Sequence, residues 1–291
     1  MSSIAPPHLH RLASWLGRAL VTCFLCSNIA ALAAPLAVRH PVARDGYEYP
    51  IKVLDLAMRK SGVDYVLQPI GKVSLQSRIL KTVASGADLD VAWSMTSGQR
   101  EEDLLPIRIP IDKGLLGWRV FLIREKDRAR FASVRKPTDL QQFEAGQGHD
   151  WPDTEILRNN GFRVQGYPVF ESLFDMLQAG RFDYFPRSIM EVWDEERIHT
   201  GKGLVVEQTL VMHYPTAYYF FVNKKNTALA TTIETGLKRA IKDGSFDQLF
   251  NQEFGDDIQR SRMASRKKLE LNNPLLPPKT PLGQKELWLQ F

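Results

Sequence analysis

The sequence holds only two cysteines, Cys23 and Cys26, and both lie in one apolar stretch near its start. Loss of that stretch would leave a chain without disulfides or thiol chemistry. No second His or Cys stands at ligand spacing from His149, so no metal site is read and no cofactor is expected. No basic run interleaved with aromatics marks a nucleic-acid groove. The net charge of +5 is mild and spread along the chain, as on a solvated surface. The sequence shows no trusted Ser-His-Asp order, no phosphate-binding loop and no repeat with a period of about 20–50 residues. Beyond the first residues no apolar run reaches the roughly 20 residues of a membrane span.

What is present begins at the N-terminus. Arg11 and Arg18 precede the apolar LVTCFLCSNIAALA (20–33), and Ala31-Leu32-Ala33-Ala34 follows with small residues. A basic region, an apolar region and an Ala-x-Ala site together read as a secretory signal peptide over residues 1–33, cleaved after Ala33. Thr22 and Leu25 precede the cysteines where a lipid anchor needs a small residue, so lipidation is not expected. The rest, in a chain that is 44% hydrophobic and 24% charged, is ordinary globular material. It is long enough to bury its own core, in two domains or lobes.

Apolar residues at helical spacing predict a helix over 50–60, with Pro50 in its first turn and Gly62 past its end. YVLQPI (65–70) reads as a strand. SLQSRILKTVASG (74–86) reads as a helix with Ser74 as N-cap, and LDVAWSM (89–95) as a buried strand. Strand, helix, strand at this spacing implies parallel βαβ units and an α/β fold. Further strands are expected in 117–123, 162–169, 204–208 and 218–224, and in DYFPRS (183–188), whose hydrophobic part reads as stopping at Pro186. Helices are expected in 151–161, 171–180 and 228–244, with a short one, SFDQLFNQEFG, capped by Ser245. The last 30 or so residues are polar, basic and proline-rich. They read as a wrapping segment anchored by leucines and Trp288, or as disorder.

Four stretches carry a family resemblance: ASGADLDVAWSMTSGQREEDLLPIRIPI (84–111), AGRFDYFPRS (179–188), YYFFVNKKN (218–226) and LKRAIKDGSFDQLF (237–250). In order and spacing the chain resembles the type II periplasmic solute-binding proteins, polar amino-acid branch (family 3). The resemblance covers roughly residues 50–255. It implies two α/β lobes joined by two crossover hinge strands, with a ligand cleft between them. Lobe 1 would comprise 34–117 and 216–255, lobe 2 118–215, and a C-terminal tail 256–291.

The same resemblance directs attention to particular residues. Thr96 and Arg100, after the strand that bears Trp93, match in kind the family's carboxylate-binding Thr and Arg, though one residue closer to the strand. A guanidinium forks onto a carboxylate, and a hydroxyl completes the cradle. Arg100 could instead pair with Glu101 or Glu102. In EAGQGHDWPD (144–153), Gly148 and His149 are candidates to offer amides to a ligand at a helix start. The alternative is a plain turn with Asp150 as N-cap. Where the family places an ammonium-binding aspartate, this chain has Ser188, preceded by Arg187. Three readings stay open. Glu191 replaces the missing carboxylate; or the ligand lacks an ammonium and Arg187 and Arg100 clamp an acid; or Arg187 pairs with Asp194 or Glu195. Trp93, Trp118 and Tyr47 are aromatic candidates for the cleft, against a core role.

The expected function is therefore that of a monomeric periplasmic protein that captures a small polar or anionic solute by hinge closure, for a membrane transporter permease, without catalysis. A sensory module without its own transporter and a dehydratase-like enzyme on the same fold are the alternatives.

Overall fold

A computed structural model describes residues 34–72 and 74–291. The signal peptide and its cleavage site fall on residues 1–33, outside the described residues.

The first part of the chain alternates strand and helix as the periodicity predicts: β1 (Leu36–Pro41), α1 (Tyr49–Ser61), β2 (Tyr65–Ile70), α2 (Gln76–Ser85), β3 (Val91–Met95), the short α3 (Gly98–Asp103) and β4 (Leu105–Ile107). Helix α1 buries Val53, Leu54, Ala57 and Met58 and stops at Gly62, whose left-handed φ of 81° closes it. Helix α2 starts one residue later than expected. Its N-cap is Leu75, with no side-chain cap, so Ser74 is not the cap. β1 and β2 pair in parallel from Leu36–Tyr65 to Pro41–Ile70. Asp90 ties this pair to β3: its backbone N–H donates to the Arg39 carbonyl at 2.9 Å, and its carboxylate accepts the Arg39 amide and guanidinium at 2.7–3.0 Å.

The second part comprises β5 (Trp118–Arg124), two short helices α4 (Arg128–Ala132) and α5 (Pro137–Leu140), β6 (Glu144–Gly148), α6 (Pro152–Asn159), β7 (Arg163–Tyr167), α7 (Phe170–Gln178), β8 (Tyr184–Ser188), α8 (Ile189–Ile198), β9 (Leu204–Val206) and β10 (Leu210–His213). The chain then returns through β11 (Tyr218–Val222), α9 (Thr227–Lys242), α10 (Ser245–Ser261) and β12 (Lys267–Glu270). β11 lies between β3 and β4, antiparallel to both, which completes the first lobe's sheet. The second sheet has the order β12-β10-β5-β8-β6-β7, with β9 also on β5.

Two corrections to the sequence reading concern strands. EAGQG is strand β6 rather than a loop, and β8 runs through Pro186 to Ser188 instead of stopping at the proline. β6 pairs with β8 only at Tyr184. Pro186 has no N–H to extend that ladder, and β8 continues on its pairing with β5, Pro186 opposite Phe121.

Two segments connect the lobes, Arg108–Gly117 and Tyr214–Ala217. They run side by side, the Tyr214 N–H donating to the Gly117 carbonyl at 3.2 Å. A Cβ on Gly117 would stand 2.3 Å from the Tyr214 carbonyl oxygen, so only glycine permits this approach.

The C-terminal region differs from expectation in two ways. Helix α10 continues through Gly255 to Ser261, because Phe246, Phe250 and Phe254 form one buried stripe that outweighs the roughly 1 kcal/mol cost of a mid-helix glycine. The tail therefore starts after the helix rather than at 256. It is ordered and touches both lobes. β12 extends the second sheet beside β10. The Leu275 carbonyl then accepts the Gly98 N–H at 3.2 Å, and the Leu289 N–H donates to the Lys113 carbonyl at 2.8 Å.

Candidate functional site

Between the lobes lies a cavity of about 220 Å³. The first lobe supplies the loop after β1, the start of α2, Trp93 from β3 and Tyr218 from β11. The second lobe supplies Arg119 from the start of β5, Trp151 and Asp153 at the start of α6, Phe170 from α7, Arg187 from β8 and Glu191 from α8.

The inner wall is built on two buried guanidiniums, each 2% exposed. Arg187 donates through Nε to both oxygens of Glu195, at 2.8 and 2.9 Å, and through Nη2 to Oε1 at 2.6 Å. Asp194 pairs with Arg197 instead. The Tyr47 hydroxyl donates to the same Glu195 oxygen at 2.6 Å. Around the Arg187 guanidinium stand the rings of Phe185, Trp151 and Phe170, with centroids at 4.7, 5.2 and 5.4 Å. Burial alone would lower its pKa, but Glu191 and Glu195 outweigh that and hold it well above the usual arginine value.

Arg119 forms the second centre. It is ion-paired with Asp153 and donates through Nε to the Tyr214 hydroxyl at 3.0 Å, and that hydroxyl in turn donates to Asp153. Glu191 joins the two centres. Its Oε1 is 3.1 Å from Arg187 Nη2, and its Oε2 is 3.6 Å from Arg119 Nη1 and accepts the Ser188 amide at 3.2 Å. Burial pushes the Glu191 carboxyl above the ordinary carboxylate range, with Arg187 opposing the shift. The Tyr218 hydroxyl lines the cavity and has no hydrogen-bond partner among the described residues. Burial, then Glu191, hold it protonated well above the usual tyrosine value.

The sequence candidates are dispersed by this geometry. Trp93, Arg187 and Glu191 line the cavity, as do Tyr47 and Gly148. Ser188 does not. It caps α8, its Oγ accepting the Met190 amide at 3.2 Å, and with Glu191 it forms a reciprocal capping box. Thr96 turns away, its hydroxyl donating to Glu101 at 2.8 Å. Trp118 stacks on His213 at 4.0 Å and meets Phe291 at 4.7 Å, outside the cavity.

Arg100 lies one layer out, in an open groove between the lobes, and pairs with neither Glu101 nor Glu102. It donates to Gln76 Oε1 at 2.7 Å, to the Met95 carbonyl at 2.8 Å, to the Asp150 carbonyl at 3.3 Å and to the Ser94 hydroxyl. All four acceptors are neutral, and burial lowers its pKa to about 10. It thus braces Gln76 and Asp150, which line the cavity.

The His149 amide is not available to a ligand, whereas Gly148 lines the cavity. Gly148 lies in the β6 ladder, and the His149 N–H donates to the Tyr167 carbonyl at 3.0 Å. Glycine is needed at 148 because a Cβ would lie 2.4 Å from the Trp151 ring, which covers Arg187. Asp150 is not the cap of α6. The N-cap is Trp151, while Asp150 accepts the Ser77 amide of the other lobe at 2.9 Å.

Sequence reasoning missed Arg119, Asp153 and Tyr214. Arg119 inside an otherwise apolar strand, WRVFLI, was the available signal, since an arginine is rarely fully buried unless paired.

The architecture is that of the type II periplasmic-binding-protein fold, two α/β lobes around a cleft, and solved structures share it. An ancestral arginine-binding protein bound to arginine matches with a TM-score of 0.58 at 18% identity, over 77% of this chain and 100% of its own. An arginine-, lysine- and histidine-binding protein from Geobacillus stearothermophilus matches at 0.55 and 16%, over 76% and 95%. A histidine kinase sensor domain matches at 0.56 and 15%, over 76% and 96%. No protein-family model and no curated protein matches the chain. No helix among the described residues is long and apolar enough to cross a membrane.

Proposed function

We propose that this chain is a periplasmic solute-binding protein that captures a small polar solute bearing an ammonium or similar donor group. The lobes close over it about the two connecting segments, and the solute passes to a membrane permease. The protein acts as a monomer, exported by the signal peptide over residues 1–33, and binds without a covalent step.

One observation carries this reading. Arg119 and Arg187 each already hold a carboxylate of their own, Asp153 and Glu195, and Glu191 is a third. Three carboxylates thus stand against two guanidiniums. Arg44 and Asp150, which also line the cavity, offset each other, so one negative charge is left in surplus. An ammonium neutralises it; a further anion adds to it at a cost of several kcal/mol. This supports Glu191 as the acceptor that replaces the family's aspartate. It speaks against an acid clamped by Arg187 and Arg100, because Arg187 is committed to Glu195 and Arg100 lies outside the cavity. An amino acid with an uncharged side chain satisfies the requirement through its α-ammonium.

The test is the melting temperature of the chain from Ala34 against amino acids, amines and dicarboxylates. A ligand at about 100 times its Kd adds roughly 2.7 kcal/mol, a rise of about 5–10 °C. A response confined to ammonium-free acids would overturn the reading. The likeness to a sensor domain favours a second role, closure read by a separate partner protein. Binding of the closed form to a permease, but to no sensor, would separate the two.

A further inference from the structure

We infer that Arg187 is a resident cation: the chain's own guanidinium fills a cation-recognition subsite at the inner end of the cavity and thereby sets which solutes fit. This rests on the binding role proposed above.

The groups around Arg187 are those that recognise a free guanidinium. A carboxylate, Glu195, accepts its Nε and Nη2 together at 2.6–2.9 Å. A second carboxylate, Glu191, stands at 3.1 Å. Three aromatic rings surround the cation within 5.4 Å. Forked carboxylates and ring faces are the two features that favour guanidinium over other cations. These groups come from separate parts of the chain: Trp151 before α6, Phe170 on α7, Phe185 on β8, and both glutamates on α8. The Tyr47 hydroxyl fixes Glu195 from the loop after β1, on the other lobe. All of these groups converge on one buried guanidinium that also borders the cavity.

The consequence concerns specificity. A solute whose far end carries a guanidinium or a second ammonium finds the inner subsite occupied and Glu195 committed to Arg187. A solute with one cationic group meets Glu191 from the cavity side, and the remainder of it lies towards Trp93 and Tyr218. Arg187 is thus a specificity residue that excludes dicationic solutes by occupying their place.

The test needs no natural ligand. Arg187→Ala empties the subsite and leaves its walls, so millimolar methylguanidinium should raise the variant's melting temperature by about 4 °C or more. Methylammonium should do so far less, and methylguanidinium should not move the wild type. Adding Glu195→Gln should abolish the response. A variant that melts identically with both cations, or with neither, overturns the inference. If Arg187→Ala does not fold alone, the readout is the folded fraction after refolding with each cation. Methylguanidinium must restore it and methylammonium must not; recovery with both or with neither refutes the proposal. Failure of the wild-type solute panel would refute the binding role and leave this result untouched.

Discussion

Replacing Glu195 with glutamine isolates the central ion pair. The pair is buried on both sides, with Arg187 and Glu195 each 2% exposed. Three of the Arg187 hydrogen bonds end on Glu195, so the substitution leaves the guanidinium with Glu191 alone as a charged partner, at 3.1 Å. Removing one member of a buried pair costs about 3–5 kcal/mol, because the other charge stays desolvated. For a chain of this size that is a fall in melting temperature of about 6–20 °C. The Tyr47 hydroxyl also exchanges a charged acceptor for a neutral one. Urea unfolding followed by circular dichroism measures the loss. The double variant Arg187→Met/Glu195→Leu removes both charges and should recover most of it, since a buried pair is often no more stabilising than apolar side chains of similar volume. A loss below about 1 kcal/mol for Glu195→Gln would place the pair in the range of solvated surface bridges and refute the reasoning.

Three further outcomes follow from the geometry. Glu191→Gln should weaken binding of an ammonium-bearing solute by about 10- to 100-fold, the value of a charge-assisted hydrogen bond, in a calorimetric titration. Gly117→Ala should cost about 1–3 kcal/mol in a urea melt, since its Cβ would press on the Tyr214 backbone at 2.3 Å in the paired connecting segment. Burial raises Asp112 from 3.8 to about 6, despite the amides of Leu116 and Gly114 that it accepts. The folded state therefore holds the proton at pH values where the unfolded state has lost it. Stability should fall by up to about 3 kcal/mol as pH rises between those values, with Asp257, also raised to about 6, adding in the same sense. A pH series of urea melts should show that slope, and Asp112→Asn should reduce it.

Sequence by itself determined the α/β class and most elements, because these rest on local periodicity, while the two-lobed arrangement was implied by the family resemblance. Val53, Leu54, Ala57 and Met58 mark one face of a helix wherever that helix packs, and Gly62 stops it without help from the rest of the chain. Strands that depend on partners were less legible. β1 and β12 carry charges and depend on β2 and β10 for their ladders. Pro186 reads as a stop, although β8 continues through it on its pairing with β5. The order of the tail was undecidable from composition, since its anchors, such as Lys113, lie far away in sequence.

The site shows the same division. That a serine stood where the family's acid belongs, with an arginine just before it, was visible in Pro186-Arg187-Ser188. Whether it met a ligand or a carboxylate was not, because Glu195 is only one of several acids within reach of its side chain along α8. Only the packing of α8 on β8 selected that glutamate and placed Glu191 between Arg187 and Arg119. The capping role of Ser188 likewise appeared only with the helix it starts. Local patterns specify which backbone forms. Which charges are paired, and which remain for a solute, depends on long-range distances that no short stretch of sequence contains.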